Sequence, residues 1–129
     1  MDLVVAHFDS PFEMVSVRLG RGDGTFGKAR IYPTPSPLDL AVEDLNQDGR
    51  PDLAVASYGA GTVSCLLNQG GGQFRQAASL PAGQTPYSLA LADFNGDGWP
   101  DAAVADLEGH HVSVMINRGR ENRRPPIER

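Results

Sequence analysis

The sequence predicts an all-β fold in which short antiparallel strands are grouped in fours. Three observations carry this reading. Apolar runs of about 5–8 residues, rich in Val, Leu, Ala and Ser, alternate with turns rich in Gly and Pro, and no window of 11 or more residues holds a helical period. The chain repeats itself with a period of about 48 to 50 residues. Each period holds four of the runs, and four strands per repeat of about 40–50 residues is the pattern of a β-propeller blade. The chain is predicted to supply about two and a half blades of four antiparallel strands.

In chain order, Met1-Asp2-Leu3-Val4-Val5-Ala6 matches Pro51-Asp52-Leu53-Ala54-Val55-Ala56 and Pro100-Asp101-Ala102-Ala103-Val104-Ala105. Val15-Ser16-Val17 matches Val63-Ser64-Cys65 and Val112-Ser113-Val114. Gly22-Asp23-Gly24-Thr25-Phe26 pairs with Gly70-Gly71-Gly72-Gln73-Phe74, and Pro37-Leu38-Asp39-Leu40-Ala41 with Pro86-Tyr87-Ser88-Leu89-Ala90. In the complete copy, strand A is predicted at about 38–43, B at about 52–57, C at about 61–67 and D at about 73–80. The chain then reads B-C-D, A-B-C-D, A-B-C, with blade parts at about 1–35, 36–84 and 85–117. A closed propeller needs four to eight blades, or roughly 200–390 residues. The chain is therefore either a piece of a longer propeller or one of several copies that build a ring. We expect the piece. Residues 118–129, with five Arg, two Glu and two Pro, are expected to form a disordered basic tail.

Two nine-residue stretches organise the repeat. Asp44-Leu45-Asn46-Gln47-Asp48-Gly49-Arg50-Pro51-Asp52 and Asp93-Phe94-Asn95-Gly96-Asp97-Gly98-Trp99-Pro100-Asp101 both read D-x-N-x-D-G-x-P-D. Oxygen side chains fall at loop positions 1, 3, 5 and 9, with Gly at 6. Ca²⁺ takes six to eight oxygen ligands from a flexible loop, and alternate-residue oxygens can wrap one ion. The first half resembles an EF-hand loop, but no bidentate Glu stands at position 12 and both flanks read as strands. An acidic turn would also use Asn, Asp and Gly, yet two copies in the same context favour the metal.

These loops, the D-L-A-V-A strand at 52–56, the T-V-S-C-L-L strand at 62–67 and the G-D-G-T-F turn at 22–26 resemble the FG-GAP/VCBS repeats. Those repeats build the calcium-binding propellers of integrin α-subunits and of many secreted bacterial proteins. The resemblance covers the chain from Asp2 to about Asn117. It implies one Ca²⁺ held by Asp44, Asn46, Asp48, Asp52 and the Arg50 carbonyl. It implies a second held by Asp93, Asn95, Asp97, Asp101 and the Trp99 carbonyl. The first repeat keeps only Asp2, the last ligand. About two ions per chain are expected, and their role would be structural. They would turn the repulsion of clustered carboxylates into a link between strands A and B.

The net charge is −5. Each loop carries three Asp, so the two loops contribute −6, the rest of the chain sums to +1, and two Ca²⁺ would leave −1. The acidity sits in the loops and argues against a nucleic-acid partner. Cys65 is the only cysteine, which excludes an intramolecular disulfide and a cysteine-based zinc site. Its alignment with Val17 and Val114 marks it as a small buried apolar residue. No run reaches the length of a membrane span, and no signal peptide is visible after Met1.

In a propeller the A–B loops share one face, and the B–C and D–A loops share the other. The second face is predicted to carry His7, Phe8, Asp9, Tyr58, Thr85, Tyr87, Asp106, Glu108 and His110. Aromatics beside carboxylates and histidines there could bind a protein or a glycan. His110 and His111 are adjacent, so on a strand they would face opposite ways and make a poor metal pair. Arg21-Gly22-Asp23 spells an adhesion tripeptide but falls in the G-D-G turn, which favours a structural role. No hydrolase, zinc-protease or nucleotide-binding motif appears, and no catalytic residue is assigned. The expected function is a calcium-stabilised module for adhesion or ligand binding, located at the cell surface, in the periplasm or in the secreted fraction. Its further partners would be other blades, in the same chain or from copies of it. The alternative is part of a propeller-type polysaccharide lyase or hydrolase.

Overall fold

A computed structural model describes residues 1–8 and 11–119. Asp9 and residues 120–129, which hold most of the predicted tail, lie outside the described residues. The described chain is all-β. Strands β1 (Leu3–His7), β2 (Met14–Arg18) and β3 (Arg30–Pro33) form a three-stranded sheet in that order. Strands β4 (Pro37–Glu43), β5 (Asp52–Ser57), β6 (Thr62–Gly70) and β7 (Gln73–Pro81) form a four-stranded sheet in sequence order. Strands β8 (Pro86–Ala92), β9 (Asp101–Asp106) and β10 (His111–Met115) complete a second three-stranded sheet, with β9 central. All neighbours pair antiparallel. The three sheets are the B-C-D, A-B-C-D and A-B-C blade parts that the repeat predicts.

The internal repeat reaches into the backbone. Pro37 and Pro86 each open an A strand, and in each sheet the register shifts immediately after the proline. A strand's first residue is where proline is tolerated, because its missing N–H breaks no interior ladder bond. Strands C and D of the middle sheet run beyond the apolar stretches, to Gly70 and Pro81. Ladder pairing depends on backbone groups, so Asn68 continues β6 after the last leucine.

The middle sheet is covered on both faces, and every residue of β5 is buried. Successive side chains of a strand point to opposite faces. On one face, Leu53, Val55 and Leu66 pack with Val15 and Val17 of β2 and with Tyr32 of β3. On the other, Ala54, Ala56 and Val63 pack with Leu89 and Val104 of the third sheet. Polar bonds fix the stack. The Tyr32 hydroxyl donates to the Gly72 carbonyl at 3.1 Å and accepts from the Phe74 N–H at 2.9 Å. Asp39 Oδ2 accepts from the Ser88 hydroxyl at 2.8 Å and from the Leu89 N–H at 2.9 Å. Stacking therefore sets the two A–B loops side by side, each at the same end of its own sheet.

Candidate metal centre

Each nine-residue loop joins strand A to strand B of its sheet, β4 to β5 or β8 to β9. The two loops share one hydrogen-bond pattern. Asp44 Oδ1 accepts from the Asp48 N–H at 3.1 Å and Oδ2 from the Gly49 N–H at 2.8 Å. Asp93 does the same with Asp97 at 3.1 Å and Gly98 at 2.7 Å. The Asn46 amide oxygen accepts from the Asp48 N–H at 3.1 Å, and Asn95 from Asp97 at 3.2 Å. Asp48 and Asp97 each accept the N–H two residues on, from Arg50 and Trp99, at 2.9 Å. Gly49 and Gly98 have φ of 84° and 86°, in the left-handed region that a side chain disfavours. Gln47 shares that region with φ of 57° where the second loop has Gly96.

Position 9 is the deepest part of each loop. Asp52 is 0% exposed and Asp101 is 1% exposed. One oxygen of each accepts the N–H of loop position 2, from Leu45 or Phe94, at 2.9 Å. The other accepts an N–H at the end of strand C, from Asn68 or Asn117, at 2.8 Å. This carboxylate therefore pins the loop's start to the third strand. Asp2 repeats half of the pattern, accepting from the Gly20 N–H at 2.8 Å.

Charge is poorly balanced here. Burial raises the Asp52 carboxyl pKa, and the charges of Asp48 and Asp44 add to the rise against the two N–H bonds that lower it. Among the described residues, the ion pair nearest the loop is that of Arg50, whose Nη1 stands 3.8 Å from Asp48 Oδ2, while Asp52 has no cationic partner. The Gly98 N–H, with help from Gly96 and Asp97, holds Asp93 below the usual carboxylate range. Among the described residues, no three His, Cys, Asp or Glu side chains converge as a ready-made metal cluster; backbone N–H groups organise the carboxylates. The donor chemistry nevertheless fits a hard cation: three carboxylates, an amide oxygen and a position-7 carbonyl, with no nitrogen or sulfur donor. In one loop Asp44, Asn46, Asp48, Asp52 and the Arg50 carbonyl would hold the ion. In the other, Asp93, Asn95, Asp97, Asp101 and the Trp99 carbonyl would do so.

Three residues outside the motif matter to it. Asn68 and Asn117 supply the N–H groups for the buried carboxylates, and Gln47 Nε2 donates across to the Gly98 carbonyl of the other loop at 2.7 Å. The Asn117 side chain also donates to the Leu45 carbonyl at 2.9 Å, so the two loops are tied twice. The signal in the sequence was the repetition of Asn68 and Asn117 at the same spacing as the loops. Nothing in the sequence marked Gln47.

The opposite face is only partly as expected. Phe8 and Tyr58 meet edge to face, with centroids 6.1 Å apart, and Phe8 and Tyr87 are exposed. Asp106 departs from the expectation of a ligand-facing loop residue: it is 4% exposed and turned inward. Its oxygens accept from the Gln84, Thr85 and Gly109 N–H groups and from the Thr85 hydroxyl, at 2.7–3.1 Å. Burial alone would raise its pKa, but these bonds outweigh burial and hold the carboxyl far below the usual range. The expectation failed because an Asp beside a turn satisfies that turn's N–H groups before it faces a ligand. Glu108 donates its N–H to Thr85 Oγ1, and His110 sits in a turn with φ of 53°. His111 Nδ1 lies 2.9 Å from the Gly109 carbonyl. In the Arg21-Gly22-Asp23 turn, Asp23 accepts from both the N–H and the hydroxyl of Thr25, and the hydroxyl bond above all lowers its pKa. Burial, with the Asp52 charge, pushes the Cys65 thiol up, which keeps it protonated and poorly nucleophilic.

A family model, described as an FG-GAP-like repeat, matches residues 1–55 and 44–104. The two matches overlap on the first metal loop and strand β5, so the second match runs from one loop to the next. No curated protein matches the chain.

Proposed function

The chain belongs to the FG-GAP-like repeat family, and on that footing we propose that it is a calcium-stabilised, non-enzymatic module that binds a protein or glycan ligand outside the cytoplasm. The fold is a propeller-type repeat array; the ion, the ligand and the location are the proposal. One observation carries it. The nine-residue loop occurs twice with the same hydrogen-bond pattern, and each copy buries a carboxylate that joins the loop to strand C. Two buried acids in acidic loops are unfavourable unless a cation balances them. Calcium suits oxygen-only loops of this spacing, and extracellular calcium is concentrated enough to fill sites of modest affinity. The ligand would meet the face opposite the loops, where Phe8, Tyr58 and Tyr87 provide aromatic surface. Among the described residues, no helix is long and apolar enough to cross a membrane.

The polysaccharide-enzyme alternative is weakened by Asp106, the carboxylate best placed to serve as its acid. That group is committed to four hydrogen bonds and is held ionised, so it is a poor proton donor near neutral pH. The test is thermal melting of the purified chain with calcium and with a calcium chelator, beside a panel of immobilised glycans. A melt raised by calcium and saturable binding without turnover are expected. Turnover of a polysaccharide that Asp106→Asn abolishes, with the fold intact, would establish the enzyme instead.

A further inference from the structure

The two end sheets expose faces that the repeat shows to be complementary. In the middle sheet, Ala54, Ala56 and Val63 cover the third sheet. Their counterparts in the third sheet are Ala103, Ala105 and Val112. Strand pairing confirms a shared face: Ala105 is opposite Val112, and Ala103 is opposite Val114. Nothing covers that face among the described residues, and Val112 and Val114 are 65% and 55% exposed. At the other end, Leu53 and Val55 of the middle sheet pack against the first sheet. Their counterparts are Leu3 and Val5, which are exposed together with Ile31. Val5 is opposite Ser16, and Ser16 is opposite Ile31, so these three residues also lie on one face.

We propose that a second copy of this chain docks head to tail, placing its Leu3/Val5/Ile31 face on the Val112/Val114/Ala103 face of the first. Such a contact continues two interfaces already inside the chain. The first sheet meets the second, and the second meets the third, each through an Ala- or Val-bearing face set on a Leu- or Val-bearing one. Repeating the same step once more brings the third sheet to a face of the kind that the first sheet leaves open. The contact is heterologous: two different patches meet, so association closes into a ring or continues as a filament, according to the rotation per copy. Docking of this kind is independent of calcium, because neither face contains a loop carboxylate.

The test uses two variants of the full chain, Val112→Lys with Val114→Lys at one face, and Leu3→Lys with Val5→Lys at the other. All four side chains are exposed, so both proteins should keep the circular dichroism of the parent. Light scattering after gel filtration in calcium should give a species of several times the 13.8 kDa chain mass for the parent. Each variant alone should be a monomer. Their mixture should give a dimer and nothing larger, because one intact face remains on each. A parent that stays monomeric at every concentration overturns the proposal. So does continued self-association of either variant alone, which would mean a symmetric contact through the face left intact.

Discussion

At the residue scale, the molecule depends on carboxylates that look alike in sequence and differ in surroundings. Asp52 and Asp101 are buried, and each joins a loop to strand C. Asp44, Asp48, Asp93 and Asp97 are held by N–H groups at the loop surface. Asp97→Ala removes a proposed ligand and the bond to the Trp99 N–H. It should lower the melting temperature in calcium and cut calcium stoichiometry from two to one, while leaving the chelated protein's melting temperature little changed. Calorimetric titration beside thermal scans checks this. Asp106 offers a test by pH. Its folded pKa lies well below the unfolded value of about 3.9, so its stabilisation is complete above that value and is lost progressively as pH falls toward the folded pKa. Asp106→Asn should therefore be clearly less stable than the parent at about pH 7, and the difference in urea stability should narrow at about pH 3. A constant difference would show that Asp106 does not act through its charge.

At the scale of the elements, strand β5 decides the architecture because both of its faces are covered. The alternation of Leu53 and Val55 with Ala54 and Ala56 gives one face bulk and the other close approach. Ala56→Leu should overpack the contact with the third sheet and cost about 1–3 kcal/mol in denaturant unfolding, as added core methylenes do. Leu53→Ala should cost about 2–5 kcal/mol by leaving a cavity beneath the first sheet. Strand order was legible in the sequence because strand length, turn residues and the internal repeat all pointed the same way. Strand ends were less legible, since β6 continues through Asn68 on backbone pairing that side-chain polarity does not report. The metal loops were legible as spacing. Their cross-tie through Gln47 was not, because it depends on how two sheets stack. Asp106 was misread as a surface group for a related reason: which way an Asp beside a turn points is set by the N–H groups of Gln84, Thr85 and Gly109, and two of these three come from the preceding D–A connection.

For the whole molecule, stacked sheets with acidic loops at one end make folding and ion binding one linked equilibrium. An ion that binds only the folded chain stabilises it by an amount that grows with concentration, about 2.7 kcal/mol at a hundred times its dissociation constant. Chelation should therefore lower the melting temperature in proportion to the calcium removed. Magnesium should restore little of it, because it demands tight octahedral geometry and keeps its water. Full recovery in magnesium would point to simple charge screening.

The most direct measurement is native mass spectrometry of the purified chain in calcium, which counts ions per chain whatever the assembly. Two calcium ions per chain are expected, falling to one in Asp97→Ala and likewise in Asp48→Ala. A chain that carries no calcium under conditions where it is folded would contradict the calcium assignment and leave both loops as acidic turns held by their backbone N–H bonds alone.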